Sequence, residues 1–331
     1  MDWAQLQPSP AAAPAWTKPD LGCARSVAPC APFAGLRDVL RAVRSQQAAG
    51  RGFDVLVSIY GVPAWAARAP GGCERPGTTP RSRPITPAGL QAYGALVDSL
   101  QALAAGERVQ LRWWSPWNEP NGAYFLSPQR SRCARDAPLL APAVYAELAR
   151  ALRARLRAGQ ELVVGDLADL RASRPTSTSV GDFVAALPDD VLCSAAVVAQ
   201  RAYVEATDPP GQRGAVGQLE DALDRRPCAA RKPIWVTETG VGDPRFNGTR
   251  STDPALLRAQ CRALQRALRR WDADPRVGAA FQYTFRDDPG FPVGLADARL
   301  TRAWPVEALW RAWGGDRAPD GRRPALPPAC R

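Results

Sequence analysis

The stretch Val109-Gln110-Leu111-Arg112-Trp113-Trp114-Ser115-Pro116-Trp117-Asn118-Glu119-Pro120-Asn121 decides the fold. It is an apolar, aromatic run that stops at a carboxylate, with a proline directly behind it. Pro233-Ile234-Trp235-Val236-Thr237-Glu238-Thr239-Gly240 repeats the plan. Each run reads as a buried strand that delivers one acidic side chain to its C-terminal end.

Outward from these two runs the chain alternates strand and helix. Phe53–Tyr60, between Gly52 and Gly61, reads as a strand, and Leu90, Tyr93, Leu96, Val97, Leu100 and Leu103 follow at helical spacing. Tyr145, Leu148, Leu152 and Leu156 mark a helix, Leu162–Val164 a short strand, Phe183–Leu187 a short helix and Val191–Ala199 a strand. Leu219 and Leu223 sit in another helix. After Glu238 comes a helix with Leu257, Cys261, Leu264, Leu268 and Trp271, then a last strand, Val277–Tyr283, and a closing helix with Val306, Leu309, Trp310 and Trp313. Phe33, Leu36, Val39, Leu40 and Val43 give a helix near the N-terminus. Such alternation predicts an α/β fold with a parallel sheet. Residues 1–314 read as one domain, and 315–331, rich in Gly, Pro and Arg, as an extended tail.

Composition narrows the chemistry. The 331 residues suit one large domain, and no run is long and apolar enough to span a membrane. The net charge of +11 is nearly all arginine, since Lys18 and Lys232 are the only lysines. The arginines are scattered, with no basic run interleaved with stacking aromatics, so a nucleic-acid partner is not expected. There is no histidine, which excludes histidine-based triads and metal ligands. No cofactor or metal is expected. The eight cysteines form no CxxC pair and point to disulfides in an oxidising compartment. Met1-Asp2-Trp3 nevertheless does not open a signal peptide.

At Trp117-Asn118-Glu119-Pro120 the chain resembles clan A glycoside hydrolases, retaining (β/α)₈ TIM-barrel enzymes that include cellulases, mannanases and β-xylosidases. In that clan the acid/base glutamate follows an asparagine at the end of strand four, and the nucleophile ends strand seven. The strands at Leu162 and Val191 lie between Glu119 and Glu238, which fits this spacing. Phe53–Tyr60 then becomes strand three and Val277–Tyr283 strand eight. Met1–Leu6 becomes the tail of strand two, and Trp3-Ala4-Gln5-Leu6-Gln7-Pro8 looks like the clan's W-x-x-x-Q-P exit. The resemblance implies a barrel lacking strand one and helix one. It also implies a secreted, monomeric, retaining O-glycoside hydrolase whose partner is a β-linked oligo- or polysaccharide.

Two strand-end carboxylates are the equipment for glycosidic cleavage, and in a retaining enzyme they stand about 5–5.5 Å apart. Pro120 biases Glu119 toward an extended conformation. Trp114 and Trp117 would desolvate Glu119 and keep it protonated as the acid. Thr237, Thr239 and Gly240 offer Glu238 a more polar setting. The bland alternative is two solvated strand ends making surface ion pairs. By resemblance Asn118 binds the sugar 2-hydroxyl, Tyr203 orients the nucleophile and Trp65 is a sugar-stacking platform; a turn asparagine and a core-packing tryptophan are the alternatives. Arg201 stands where many relatives carry histidine, and either binds a polar or acidic substrate group or pairs with Glu238. Tyr283 and Phe285 occupy the strand-eight mouth, and Trp117, Tyr283 and Arg201 complete the substrate-binding candidates.

A catalytically silent carbohydrate-binding barrel is the second reading, because the clan places an arginine near strand two and none precedes Trp3. Turnover of aryl β-glycosides separates the two, and salt-dependent DNA retention would revive a nucleic-acid reading. Cys73 with Cys133 would clamp the loops after strands three and four, and Cys23 with Cys30 would close a small loop. Cys193, Cys228, Cys261 and Cys330 then allow three connectivities, and Cys228 with Cys261 or Cys193 is favoured. The strand count and the missing signal peptide lead to the expectation that the gene starts upstream of Met1. Met1–Leu6 should then lie beside Val55–Ile59, with an open gap toward Val277–Tyr283.

Overall fold

The computed structural model describes residues 1–17, 35–209, 214–242, 250–288, 290–314 and 323–331. In chain order the elements are α1 (Trp3–Leu6), α2 (Leu36–Ala48), β1 (Leu56–Ser58), α3 (Pro87–Gly106), β2 (Trp113–Ser115), α4 (Ala141–Arg153), β3 (Glu161–Leu167), α5 (Val180–Ala186), α6 (Asp189–Leu192), β4 (Val197–Arg201), α7 (Tyr203–Thr207), α8 (Ala215–Asp224), β5 (Ile234–Thr239), α9 (Pro254–Ala273), β6 (Val277–Gln282) and α10 (Pro305–Gly314). The strand order is β1-β2-β3-β4-β5-β6, and β1–β2, β2–β3 and β5–β6 are parallel pairs. This is an α/β fold with the strand order of a partial (β/α) barrel.

The described residues fall into two compact units, one drawn from 1–17, 35–199 and 218–232, the other from 200–209, 214–217, 233–242, 250–288, 290–314 and 323–331. The first unit buries Leu162, Val163 and Val164 of β3, as a parallel strand covered on both faces requires. Its α3 starts cleanly because Thr86 caps the Gly89 amide and Pro87 occupies the first turn. In the second unit α9 buries Leu257, Cys261, Leu264, Leu268 and Trp271 along one stripe, and Asp253 caps its N-terminus.

Three expectations need correction. Val191 and Leu192 belong to α6, not to a strand: Leu192 N–H bonds Pro188 O at 3.0 Å and Cys193 N–H bonds Asp189 O at 2.7 Å, so β4 begins only at Val197. Met1–Leu6 does lie beside β1, with Met1 N on Ser58 O at 2.6 Å and Trp3 N–H on Tyr60 O at 2.8 Å. Only Asp2 bridges like a strand, however, because its carboxylate then caps Gln5 N–H at 3.2 Å and turns Trp3–Leu6 into α1. Finally, β3 runs past Val164 to Leu167 through Gly165, whose φ of 104° only glycine adopts readily.

Disulfides join Cys73 to Cys133 and Cys193 to Cys228 in the first unit, and Cys261 to Cys330 in the second, with Cα separations of 4.7, 5.3 and 5.4 Å. The expected first pair is present, and of the two partners favoured for Cys228 it is Cys193. Cys330 ties the described end of the tail to α9. Cys23, Cys30 and Phe33 lie outside the described residues. No described helix is long and apolar enough to cross a membrane.

Candidate active site

In the first unit the chain leaves β2 through a wired exit. Tyr93 Oη donates to Pro116 O at 2.8 Å, Trp117 Nε1 to Phe125 O at 2.9 Å and Asn118 N–H to Ile59 O at 3.1 Å. Glu119, half-buried, donates its N–H to Asp166 O at 3.0 Å and accepts Gly122 N–H at 3.1 Å. Its φ is 41°, in the left-handed region and not extended as its sequence suggested. Pro120 disfavours right-handed helical angles, and the two backbone bonds draw the residue into a turn instead.

Trp114 and Trp117 are fully buried with their indole N–H groups on Leu111 O and Phe125 O. Trp117, a substrate-binding candidate, therefore packs beneath the exit. Asn118 is buried. Asn121 and Gln129 lace the loop together: Asn121 Nδ2 donates to Ala168 O and Thr178 O at 3.0 and 3.1 Å, and Gln129 Nε2 donates to Pro120 O at 2.9 Å. Trp65 sits edge-on to Trp3 at 5.7 Å and donates Nε1 to Gln7 O at 3.1 Å, so it is anchored to the N-terminal segment.

A carboxylate that sequence reasoning missed stands here as well. Asp166, only 2% exposed, accepts Ser58 Oγ at 2.8 Å and has φ 53°. The signal was Gly165-Asp166 directly after Leu162–Val164: a third apolar run ending on an acid, hidden by stopping the strand at the glycine.

In the second unit Glu238 ends β5. Arg201 Nη1 and Tyr203 Oη both reach its Oε2, each at 2.6 Å. The Arg201 side chain is 7% exposed and that of Glu238 19%. Both donors favour the ionised carboxylate. Burial first, then the Glu238 charge, holds the Tyr203 phenol well above the ordinary tyrosine range, so it stays a neutral donor. Thr237 and Thr239, beside Glu238, donate their hydroxyls to Gln200 O and Ala202 O at 3.4 and 3.0 Å.

Tyr203 packs edge-on against Phe291 at 4.9 Å and Tyr283 at 6.5 Å, and Phe291 meets Tyr283 at 5.9 Å. Phe291 was not foreseen, since an isolated loop phenylalanine carries no periodic signal. Phe285 is 66% exposed. Glycine is required at position 240, where a Cβ would lie 2.9 Å from Val293 O and 3.0 Å from Tyr283 O. Two residues along from Tyr203, the buried Glu205 accepts Trp271 Nε1 at 2.9 Å and Val216 N–H at 2.8 Å and meets Arg270 Nη2 at 3.4 Å. It pins α7, and with it Tyr203, to α9.

No family model matches the sequence, and no curated protein matches it. Several solved structures are similar. The xylanase Xyn30A of glycoside hydrolase family 30 subfamily 8 from Clostridium acetobutylicum shares 14% identity over 87% of this chain and 60% of its own, with a TM-score of 0.49. The family 53 glycoside hydrolase catalytic domain from Ignisphaera aggregans shares 16% over 84% and 79%, at 0.45. SrfJ from Salmonella typhimurium shares 12% over 80% and 53%, at 0.53. This chain thus spans about 60% of the length of Xyn30A and about half that of SrfJ. At such identities the likeness to SrfJ speaks to fold alone, and that fold agrees with the partial (β/α) barrel order seen in the strands.

Proposed function

We propose that residues 1–314 form a retaining O-glycoside hydrolase acting on a β-linked glycan, with Glu119 as acid/base and Glu238 as nucleophile. The observation that carries this reading is the pair of donors on Glu238 Oε2, Arg201 and Tyr203. A carboxylate held ionised at a strand's C-terminal end is what nucleophilic attack on an anomeric carbon needs. In the first step Glu238 bonds to that carbon while the glycosidic C–O bond breaks and Glu119 passes its proton to the departing oxygen. In the second, Glu119 takes a proton from water, the water oxygen bonds to the same carbon, and Glu238 leaves as carboxylate. Asn118, Trp65, Tyr283 and the aromatic wall of Tyr203 and Phe291 are the proposed sugar contacts. The three disulfides fit an oxidising, extracellular setting.

The test is a pair of variants on aryl β-glycosides. Glu238→Gln should lose at least about 10⁴-fold in kcat, as removal of a nucleophile does. Glu119→Ala should recover part of its loss when azide is added, for substrates with good leaving groups. Full activity in either variant ends the assignment, and glycan binding without turnover in the unaltered protein identifies a silent carbohydrate-binding barrel instead.

A further inference from the structure

The proposed reaction leaves one row of aromatic rings unused. Tyr60, half-buried beyond β1, meets the half-buried Phe125 edge-on at 5.9 Å, and Phe125 meets Tyr124 at 5.2 Å. Tyr124 is 77% exposed, more than any other large hydrophobic side chain among the described residues. Single exposed apolar side chains are ordinary, so exposure alone means little.

Two further facts set this ring apart. Its loop is fixed, because Gly122 N–H bonds Glu119 O at 3.1 Å, while Phe125 N–H and Leu126 N–H both return to Gly122 O, at 3.1 and 3.0 Å. Ser177 bridges Gly122 from the loop after β3. A ring on so constrained a segment loses little freedom when a ligand covers it. The row also grows directly out of the Glu119 turn, at the strand ends where barrels of this kind bind ligands. A tyrosine offers an apolar face and a polar tip, which suits the C–H face of a pyranose ring and its hydroxyls.

We propose that Tyr124, backed by Phe125 and Tyr60, is a platform for a sugar beyond the bond that is cut, so that the substrate is a chain of several sugars. The glycan identity of the ligand rests on the hydrolase reading above. Since Glu119 protonates the departing sugar, the platform serves the leaving side of the chain.

The experiment runs Glu238→Gln protein, with and without Tyr124→Ala, in native gels cast with xylan, β-1,3-glucan or β-1,4-galactan. Otherwise unaltered protein and Tyr124→Ala are assayed on the same polymers and on 4-nitrophenyl β-monoglycosides. Retardation by at least one polymer is expected, weakened about tenfold by Tyr124→Ala and kept by Tyr124→Trp; tenfold corresponds to about 1.4 kcal/mol. The loss in kcat/KM should be about tenfold greater on the polymer than on the monoglycoside. Retardation by none of the three, or equal retardation with and without the ring, overturns the proposal. Equal kinetic losses on polymer and monoglycoside also overturn it, while leaving the hydrolase reading standing. Tyr124-dependent retardation without hydrolysis upholds the platform and overturns the hydrolase reading. A thermal midpoint held within about 2 °C shows that Tyr124→Ala folds.

Discussion

Main-chain bonds place Glu119, and two side-chain donors meet the carboxylate of Glu238. Glu119 is set by its main chain: the amide on Asp166 O, the carbonyl on Gly122 N–H and a left-handed φ of 41°. Glu238 is set through its carboxylate, by a guanidinium and a phenol on one oxygen. A main-chain anchor fixes a residue's place, whereas a cation and a hydroxyl on a carboxylate favour its charged form. The difference fits the proposal that Glu119 moves a proton while Glu238 stays ionised.

The largest expected effect comes from removing the cation. Arg201→Met leaves a mostly buried carboxylate without its cation and should cost about 3–5 kcal/mol of stability in urea unfolding. The double variant Arg201→Met/Glu238→Gln should regain most of that. A loss below about 1 kcal/mol would mean that the arginine does not hold Glu238, and the contrast would collapse.

On the Glu119 side the matching change is to the backbone support. Asp166→Val forces a β-branched residue into φ 53° and removes the Ser58 bond, for about 2–4 kcal/mol. Asp166→Asn tolerates that conformation and should cost under about 1 kcal/mol. Equal losses in the two variants would show that charge, not backbone geometry, matters there.

Tyr203→Phe deletes a hydrogen bond to a charged group, so kcat/KM should fall about 10–30-fold, roughly 1.5–2 kcal/mol. Glu205→Gln, which loosens α7 from α9, should fall about threefold, and that loss should vanish in the Tyr203→Phe background if it acts through the tyrosine. Additive losses would make Glu205 a purely structural residue.

The smallest effect at neutral pH appears only in alkali. Burial is the main cause that raises Tyr93, Tyr145 and Tyr203 above the ordinary tyrosine value of 10.0. In the unfolded chain these phenols ionise near that value while the folded chain keeps its protons. Stability is thus fully present below about pH 10 and falls as pH rises beyond it, toward the folded-state values. Ultraviolet titration should show these three rings ionising only with unfolding. Early titration of Tyr203 alone would break its tie to Glu238.

Much of this arrangement was legible in the residues. Helices such as Pro87–Gly106 and Pro254–Ala273 announce themselves by spacing and by a capped, proline-started N-terminus. The pairing of Arg201 with Glu238 was one of two uses open to an arginine at that strand end. Elsewhere local signals misled. Val191 and Leu192 are apolar enough for a strand, but the hydrogen bonds back to Pro188 and Asp189 are a matter of backbone geometry that apolar character does not report. Asp166 hid behind Gly165, read as a terminator where the strand in fact continues with a positive φ. Phe291 joins Tyr203 and Tyr283 only through the folding of a loop, and side-chain periodicity carries no trace of that.

The Cys73–Cys133 bond makes a covalent ring, and α3, β2 and Glu119 all lie inside it. Closing a loop with a sequence separation of 60 restricts the unfolded chain by about 4 kcal/mol on the chain-entropy view. It also changes how this part of the molecule can come apart. The segment bearing Glu119 has no loose end from which to fray, so its protected amides should exchange with solvent through local opening or global unfolding and not by fraying from an end. A protease that cuts once between the two cysteines leaves both fragments tethered, and they separate on a gel only after reduction.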